Sequence, residues 1–294
     1  MPFSKSSTAL ISLHSSALLF GMAGLFAYWL PFNPLLIVFG RVFFASISLA
    51  LILKVKVQTF TFNQSKDRLR FLFLGFLLAL HWSAFFYAIQ LSTMAIALFS
   101  FSTFPLFTFL LEAIFLKVPL RRQTLLLVLL SLTGLYFVVP EINWSDTTNE
   151  LLGLIWGLVS ALSFALLAIA NRALRANYSA WQISFHQDFW ATLFLLPALF
   201  LIDFQISAVD VALLVLLGTV FTALAHGLYI SSLKEISPTT ASLVIALEPV
   251  YGLLVAWLFF SEIPSIRTVL GGFLIIITSF YVSVWKRLRN KRAS

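Results

Sequence analysis

The chain has 294 residues, of which 61% are hydrophobic and 10% charged, with a net charge of +8 and a mean hydropathy of +1.00. Water-soluble domains carry roughly 25% charged residues, so an ordinary water-facing surface is excluded and another solvent must cover most of this chain. The basic excess does not signal nucleic acid, because Lys and Arg sit in short gaps between apolar runs instead of forming a polar basic patch; no nucleic-acid partner is expected.

Cysteine is absent, which excludes disulfides and thiolate metal sites. His14, His81, His186 and His226 lack close ligand spacing, and no HExxH, P-loop, GxGxxG or GxSxG pattern occurs. No metal, cofactor or catalytic residue is therefore expected, and the chain is not read as an enzyme.

A helix needs about 20 apolar residues to cross the hydrocarbon layer. The first apolar run, 9–30, exceeds the core of a signal peptide, contains His14 and has no small-x-small exit before Pro31, so it reads as a retained span. Further spans follow at 34–53, 70–90, 93–115 and 123–140, then at 151–171, 181–202, 210–232, 238–260 and 267–285. Pro31 and Pro34 bracket the first turn, Pro140 ends the fifth span, and Ser237-Pro238 opens the ninth, where the missing N–H does no harm. The expected fold is all-α: a polytopic membrane protein with ten transmembrane helices.

Charge tests that count. With the amino terminus in the cytoplasm, 17 of the 19 basic residues fall on cytoplasmic segments, the exceptions being Arg41 and Arg267. Glu141, Asp146, Glu150 and Asp203 fall outside with no basic residue beside them. The positive-inside bias thus supports an even number of spans with both termini cytoplasmic. Trp29, Trp144, Trp181, Trp257 and Trp285 lie near span ends, as an interfacial belt requires.

The acidic stretch at 141–150 divides the chain into residues 1–144 and 145–294, each with five spans. Five is odd, so a tandem copy must lie upside down relative to its partner. Tyr87 and Leu91 precede Pro105 much as Tyr229 and Leu233 precede Pro249, which favours an inverted repeat. Gly21, Gly24, Gly153, Gly157, Gly271 and Gly272 suit close helix packing in lipid.

Charges inside spans are costly and mark candidate function. Arg41 lies about seven residues into the second span. Glu248 adjoins Pro249, where proline releases a carbonyl and bends the helix, a natural binding or coupling position. Asp188, beside His186 and Gln187, is placed to pair with Arg41 if the halves face one another. Glu112 lies nearer the cytoplasmic end of its span and is expected to reach towards Lys117. His81, Trp82, Phe86 and Tyr87 form an aromatic wall with one titratable ring, and His226 with Tyr229 forms a smaller set; such rings can hold a cation or pack as core. The candidate substrate-binding residues are Arg41, His81, Trp82, Tyr87, Asp188, Tyr229 and Glu248.

The run Leu247-Glu248-Pro249-Val250, the apolar stretch to Phe260-Ser261-Glu262, and Gly271-Gly272 resemble the EamA-like permeases of the drug/metabolite transporter superfamily. Arg41, Pro105 and the segment from Gly153 to Arg172 are similar as well. Where that family often has a glutamate after the fourth span, this chain reads Leu116-Lys117-Val118-Pro119, a departure that argues against a symmetric role for Glu262. The resemblance implies two inverted five-helix repeats around a central cavity, and alternating access by a monomer in a bacterial inner membrane. It further implies secondary transport, the export or exchange of amino acids, related metabolites or toxic compounds, with export favoured for this chain; proton coupling is a candidate driving force that the resemblance does not supply. Import or exchange of a metabolite such as S-adenosylmethionine is the alternative within transport. A non-transporting membrane scaffold, the competing class, would want a substantial soluble loop. The expected partners are thus a small-molecule metabolite and membrane lipids.

Overall fold

The structure, a computed structural model, describes residues 5–30, 32–92, 94–138, 147–251, 254 and 265–285. Pro31, Pro140, Glu141, Trp144, Asp146, Trp257, Phe260-Ser261-Glu262, Pro264 and the basic tail from Lys286 lie outside those residues. The described residues form helices and no strand. In lipid, helices satisfy every backbone group within one segment.

The first half contains α1 (Lys5–Ala23), α2 (Phe26–Trp29), α3 (Pro34–Val55), α4 (Ser65–Leu91), α5 (Met94–Phe101), α6 (Phe104–Leu116) and α7 (Arg122–Val138). The second contains α8 (Thr147–Leu174), α9 (Ala180–Leu195), α10 (Ala198–Leu201), α11 (Ala208–Gly218), a π-helical segment at Thr219–Leu224, α12 (Ala225–Ser232), α13 (Pro238–Ile245) and α14 (Ile266–Phe280). A second π-helical segment, Tyr281–Trp285, extends α14.

Start signals are legible in the sequence. Asn33, Ser179, Ser207, Ser237 and Ser265 each cap the helix that follows through a side-chain oxygen, with Pro34 and Pro238 in the first turn, where side-chain acceptors and proline are favoured.

Among the described residues, six stretches are apolar and long enough to cross a membrane: Pro34–Val55, Ser65–Leu91, Ile96–Leu116, Thr148–Leu174, Ala208–Ser232 and Ile266–Ser283. Several expected spans are instead broken by short turns at 24–25, 102–103, 196–197 and 246–247. The second and fourth turns both fall just before a proline, Pro105 and Pro249, and in each an amide bonds three residues back, Thr103 to Ser100 and Leu247 to Val244. Proline cannot donate to the preceding turn, and the helix there tightens and restarts.

Helices of the two halves pack against one another. The helix α4 lies along α8, and α12 lies along α1; α4 also contacts α9, and α11 contacts α3. Likewise α5 and α6 rest on α8, and α13 rests on α1, while α3 meets α9 and α7 meets α14. Two glycines make equivalent crossings, each ten residues past its helix start. A Cβ on Gly75 would overlap Trp190 Cβ and stand 3.0 Å from Ala191 N. One on Gly218 would stand 2.6 Å from Phe44 Cβ and 2.8 Å from Arg41 O. These crossings flank the residues of the candidate site.

At the end bearing loops 56–64 and 175–179, a polar clasp joins the halves. The Tyr178 hydroxyl donates to Asp67 Oδ2 at 2.6 Å and accepts from Asn63 N at 2.7 Å, while Asn63 Nδ2 donates to Asn177 O at 3.0 Å. Ser179 Oγ donates to Gln58 Oε1 at 2.6 Å, and Gln182 Nε2 to Thr59 O at 3.0 Å. Asp67 is buried and ion-paired with Arg70 at 2.9 Å.

Candidate functional site

The candidate site begins at the π-helical segment. One extra residue per turn lets the Thr222 hydroxyl donate to Leu217 O, five residues back, at 2.9 Å. Its lone pairs then face α3 and accept from Arg41 Nε at 3.1 Å. Such π-helical insertions recur at functional positions.

Arg41 is 1% exposed. The Trp82 ring from α4 covers its guanidinium, with Cζ 3.4 Å from the ring centroid. Planar, weakly hydrated arginine suits this combination of stacking and directed donation. One guanidinium nitrogen, Nη2, has no hydrogen-bond partner.

Two carboxylates feel the Arg41 charge, Asp188 on α9 and Glu248 at the restart beyond α13. Asp188 is 0% exposed, and neither of its carboxylate oxygens has a hydrogen-bond partner. The direct Arg41–Asp188 pair expected from sequence does not form, since no ion pair between them lies within 4.0 Å among the described residues. A buried charge without partners is expensive. The arrangement therefore has unused donors and acceptors between oppositely charged walls.

Rings pack around this polar cluster. His226 packs edge-on to Phe20 at 5.2 Å and lies 6.0 Å from Trp82, with Nε2 unpartnered. Tyr229 stacks on Phe164 at 5.5 Å, and its buried hydroxyl is likewise unpartnered. His81 stacks on Phe164 at 4.9 Å, but its Nδ1 lies 3.0 Å from Ser160 O and 2.9 Å from Ser160 Oγ. That ring is anchored to α8, so His81 braces the wall.

Of the seven sequence candidates, Arg41, Trp82, Asp188 and Glu248 share one electrostatic neighbourhood, and His81 and Tyr229 adjoin it through Phe164. Tyr87 instead faces Trp156, with centroids 6.0 Å apart. Glu112 departs from expectation: instead of reaching Lys117 it is buried and accepts from Thr239 N at 3.0 Å, satisfying a free amide at the start of α13. Sequence reasoning missed Thr222, Ser160 and Phe164. Nothing in Thr219–Leu224 spells a π-helical turn, and the other two act only through tertiary contact.

A bundle of apolar helices enclosing an arginine and an unpaired carboxylate, Asp188, defines a multi-pass membrane protein with a polar interior. The sequence profile of the EamA-like transporter family matches residues 7–139 and 151–284. The chain belongs to that family and is a membrane transporter. It is 24% identical over 269 residues to the uncharacterized transporter YxxF of Bacillus subtilis, covering 90% of this chain and 86% of that one. It is 28% identical over 211 residues to the pseudopaline exporter CntI of Pseudomonas aeruginosa, covering 71% and 72%. A solved crystal structure superposes with a TM-score of 0.82 at 15% identity, covering 97% of this chain and 99% of that chain; that likeness concerns the fold.

Proposed function

We propose that the protein is a secondary carrier that exports amino acids or related zwitterionic metabolites by alternating access. The observation carrying this reading is the pair of opposed, unsatisfied groups: an Arg41 nitrogen without an acceptor and Asp188 oxygens without a donor, in one buried neighbourhood. A substrate carboxylate meets Arg41, its amine meets Asp188 or Glu248, and an apolar part lies against Trp82. Export is supported by one relative, the pseudopaline exporter of Pseudomonas aeruginosa.

The alternating mechanism rests on ten spans arranged as two inverted repeats. The support is the pair of family matches, the packing of helices of the two halves against one another and the equivalent crossings at Gly75 and Gly218. Rocking of one half against the other exposes the polar cluster to each side in turn. We assign the carrier to a bacterial inner membrane as a monomer with cytoplasmic termini, and Asp188 to proton coupling.

The test is flux of radiolabelled metabolites across proteoliposomes under imposed substrate and proton gradients, with Arg41→Gln and Asp188→Asn as variants. Saturable flux for a zwitterion, lost in Arg41→Gln and uncoupled from protons in Asp188→Asn, is expected. Wild-type flux in Arg41→Gln would remove the polar cluster from the mechanism.

A further inference from the structure

A cavity of about 720 Å³ opens beside the ends of α6 and α8 and the loop preceding α13. It is lined by Arg121, Arg172, Arg175 and Lys234, and Glu112 is the one carboxylate among its described lining residues. Arg172 donates to Leu233 O and Lys234 O, tying α8 to the loop after α12. Arg175 donates to Tyr178 O but leaves Nε without a partner, and burial followed by the adjacent Arg172 charge holds its pKa below the ordinary guanidinium value. None of the four cations forms an ion pair among the described residues.

Positive loop charge alone orients a membrane protein, but it does not require cations converging on a cavity. A buried, unsatisfied hydroxyl there points to a ligand: Thr239 is 4% exposed, lines the cavity and has no partner for Oγ1. Glu112 has already taken the backbone amide of the same residue, so the hydroxyl and the cations remain for something else. From Thr239, α13 runs to Ile245, and after the turn at 246–247 the chain restarts at Glu248. One interrupted span thus connects this cavity to the neighbourhood of Arg41.

We propose that this cavity is a capture site for a small molecule bearing two or more negative charges as carboxylate or phosphate groups, held by Arg121, Arg175, Lys234 and the Thr239 hydroxyl. The proposal rests on the carrier reading and narrows its cargo to zwitterions that carry two or more carboxylate or phosphate groups, the end by which they are first held. Free anions and anionic lipid headgroups present the same groups.

The experiment uses the full chain in nanodiscs of neutral phosphatidylcholine, with citrate, pyrophosphate and acetate titrated by calorimetry. Citrate or pyrophosphate should bind more tightly than acetate, weaken with added salt, and lose about tenfold affinity in Arg175→Gln and again in Lys234→Gln, as expected for lost charge-assisted bonds. Thr239→Val should weaken binding with no change in salt dependence. Equal binding of all three anions, or unaltered binding in Lys234→Gln, whose exposed side chain leaves folding intact, would overturn the site. Repeating the titration with phosphatidylglycerol separates the sources. Competition, with a lipid adduct in native mass spectrometry that Lys234→Gln loses, assigns the site to headgroups; unchanged binding assigns it to soluble anions. Binding is read without flux, so intact binding with no flux overturns the carrier reading alone, and flux without binding overturns this site alone.

Discussion

Adjacent glycines on α14 should respond to the same substitution with opposite sign. A Cβ on Gly271 would overlap Gly134 O and lie 2.7 Å from both Phe137 Cβ and Val138 N, whereas on Gly272 its nearest neighbour is Val250 Cγ2 at 3.8 Å. Carbon atoms rest near 3.5–4.0 Å, so Gly271→Ala must displace α14 from α7 by roughly 1 Å, against backbone that cannot rotate away. Overpacking of this kind costs about 1–3 kcal/mol, offset by at most ~1 kcal/mol from the better helix propensity of alanine. Gly272→Ala gains that propensity without the clash. The two variants should therefore differ by about 2 kcal/mol, read by equilibrium unfolding in mixed dodecyl maltoside and SDS micelles with circular dichroism. Equal stability, or Gly271→Ala as the more stable, would refute close backbone contact between α7 and α14.

Thr222→Val keeps the shape of the π-helical segment but removes the acceptor for Arg41 Nε; losing a bond to a charged group costs about 1.5–3 kcal/mol, so substrate KM in proteoliposomes should rise at least tenfold with expression unchanged. Tyr178→Phe strips a donor from Asp67 and an acceptor from Asn63 and should lower unfolding stability by about 1–3 kcal/mol. Burial, and then the Asp67 contact, raise the Tyr178 pKa, so the neutral phenol is favoured in the folded state. Its contribution is complete below the ordinary tyrosine value of about 10 and is lost as pH rises through the folded value; wild type and Tyr178→Phe should converge only at strongly alkaline pH. Val57, a β-branched residue at φ 52° and 91% exposed, sits in the left-handed region at a cost of about 1–2 kcal/mol, so Val57→Gly should raise the thermal midpoint.

Much of the fold is written in local chemistry. Ser and Asn caps with Pro34 and Pro238 mark helix starts, and the prolines at 105 and 249 mark where spans break, although the sequence reading ran those spans through as single helices. Intramembrane charge picked out Arg41, Asp188 and Glu248, because a charge deep in an apolar run demands a polar surrounding. What local chemistry does not carry is direction. Tyr87 and Trp82 lie five residues apart on one helix, yet only Trp82 faces Arg41, and the absence of a direct Arg41–Asp188 bond depends on how α3 and α9 cross. Glu112 belonged to the same class of ambiguity, since a carboxylate near a helix end serves equally a distant lysine or a neighbouring amide. The π-helical turn that aims Thr222 has no composition of its own.

The equivalent crossings at Gly75 and Gly218 hold unlike contents. On α3 the residue three before the Phe44 contact is Arg41; the matching position on α9, three before Trp190, is Gln187, which bonds Asn171 and not the polar cluster. The two crossings are thus alike in backbone approach but unlike in what they carry. For the zwitterionic substrate proposed above, that difference leaves one preferred heading, and turning it around would set like charge against like.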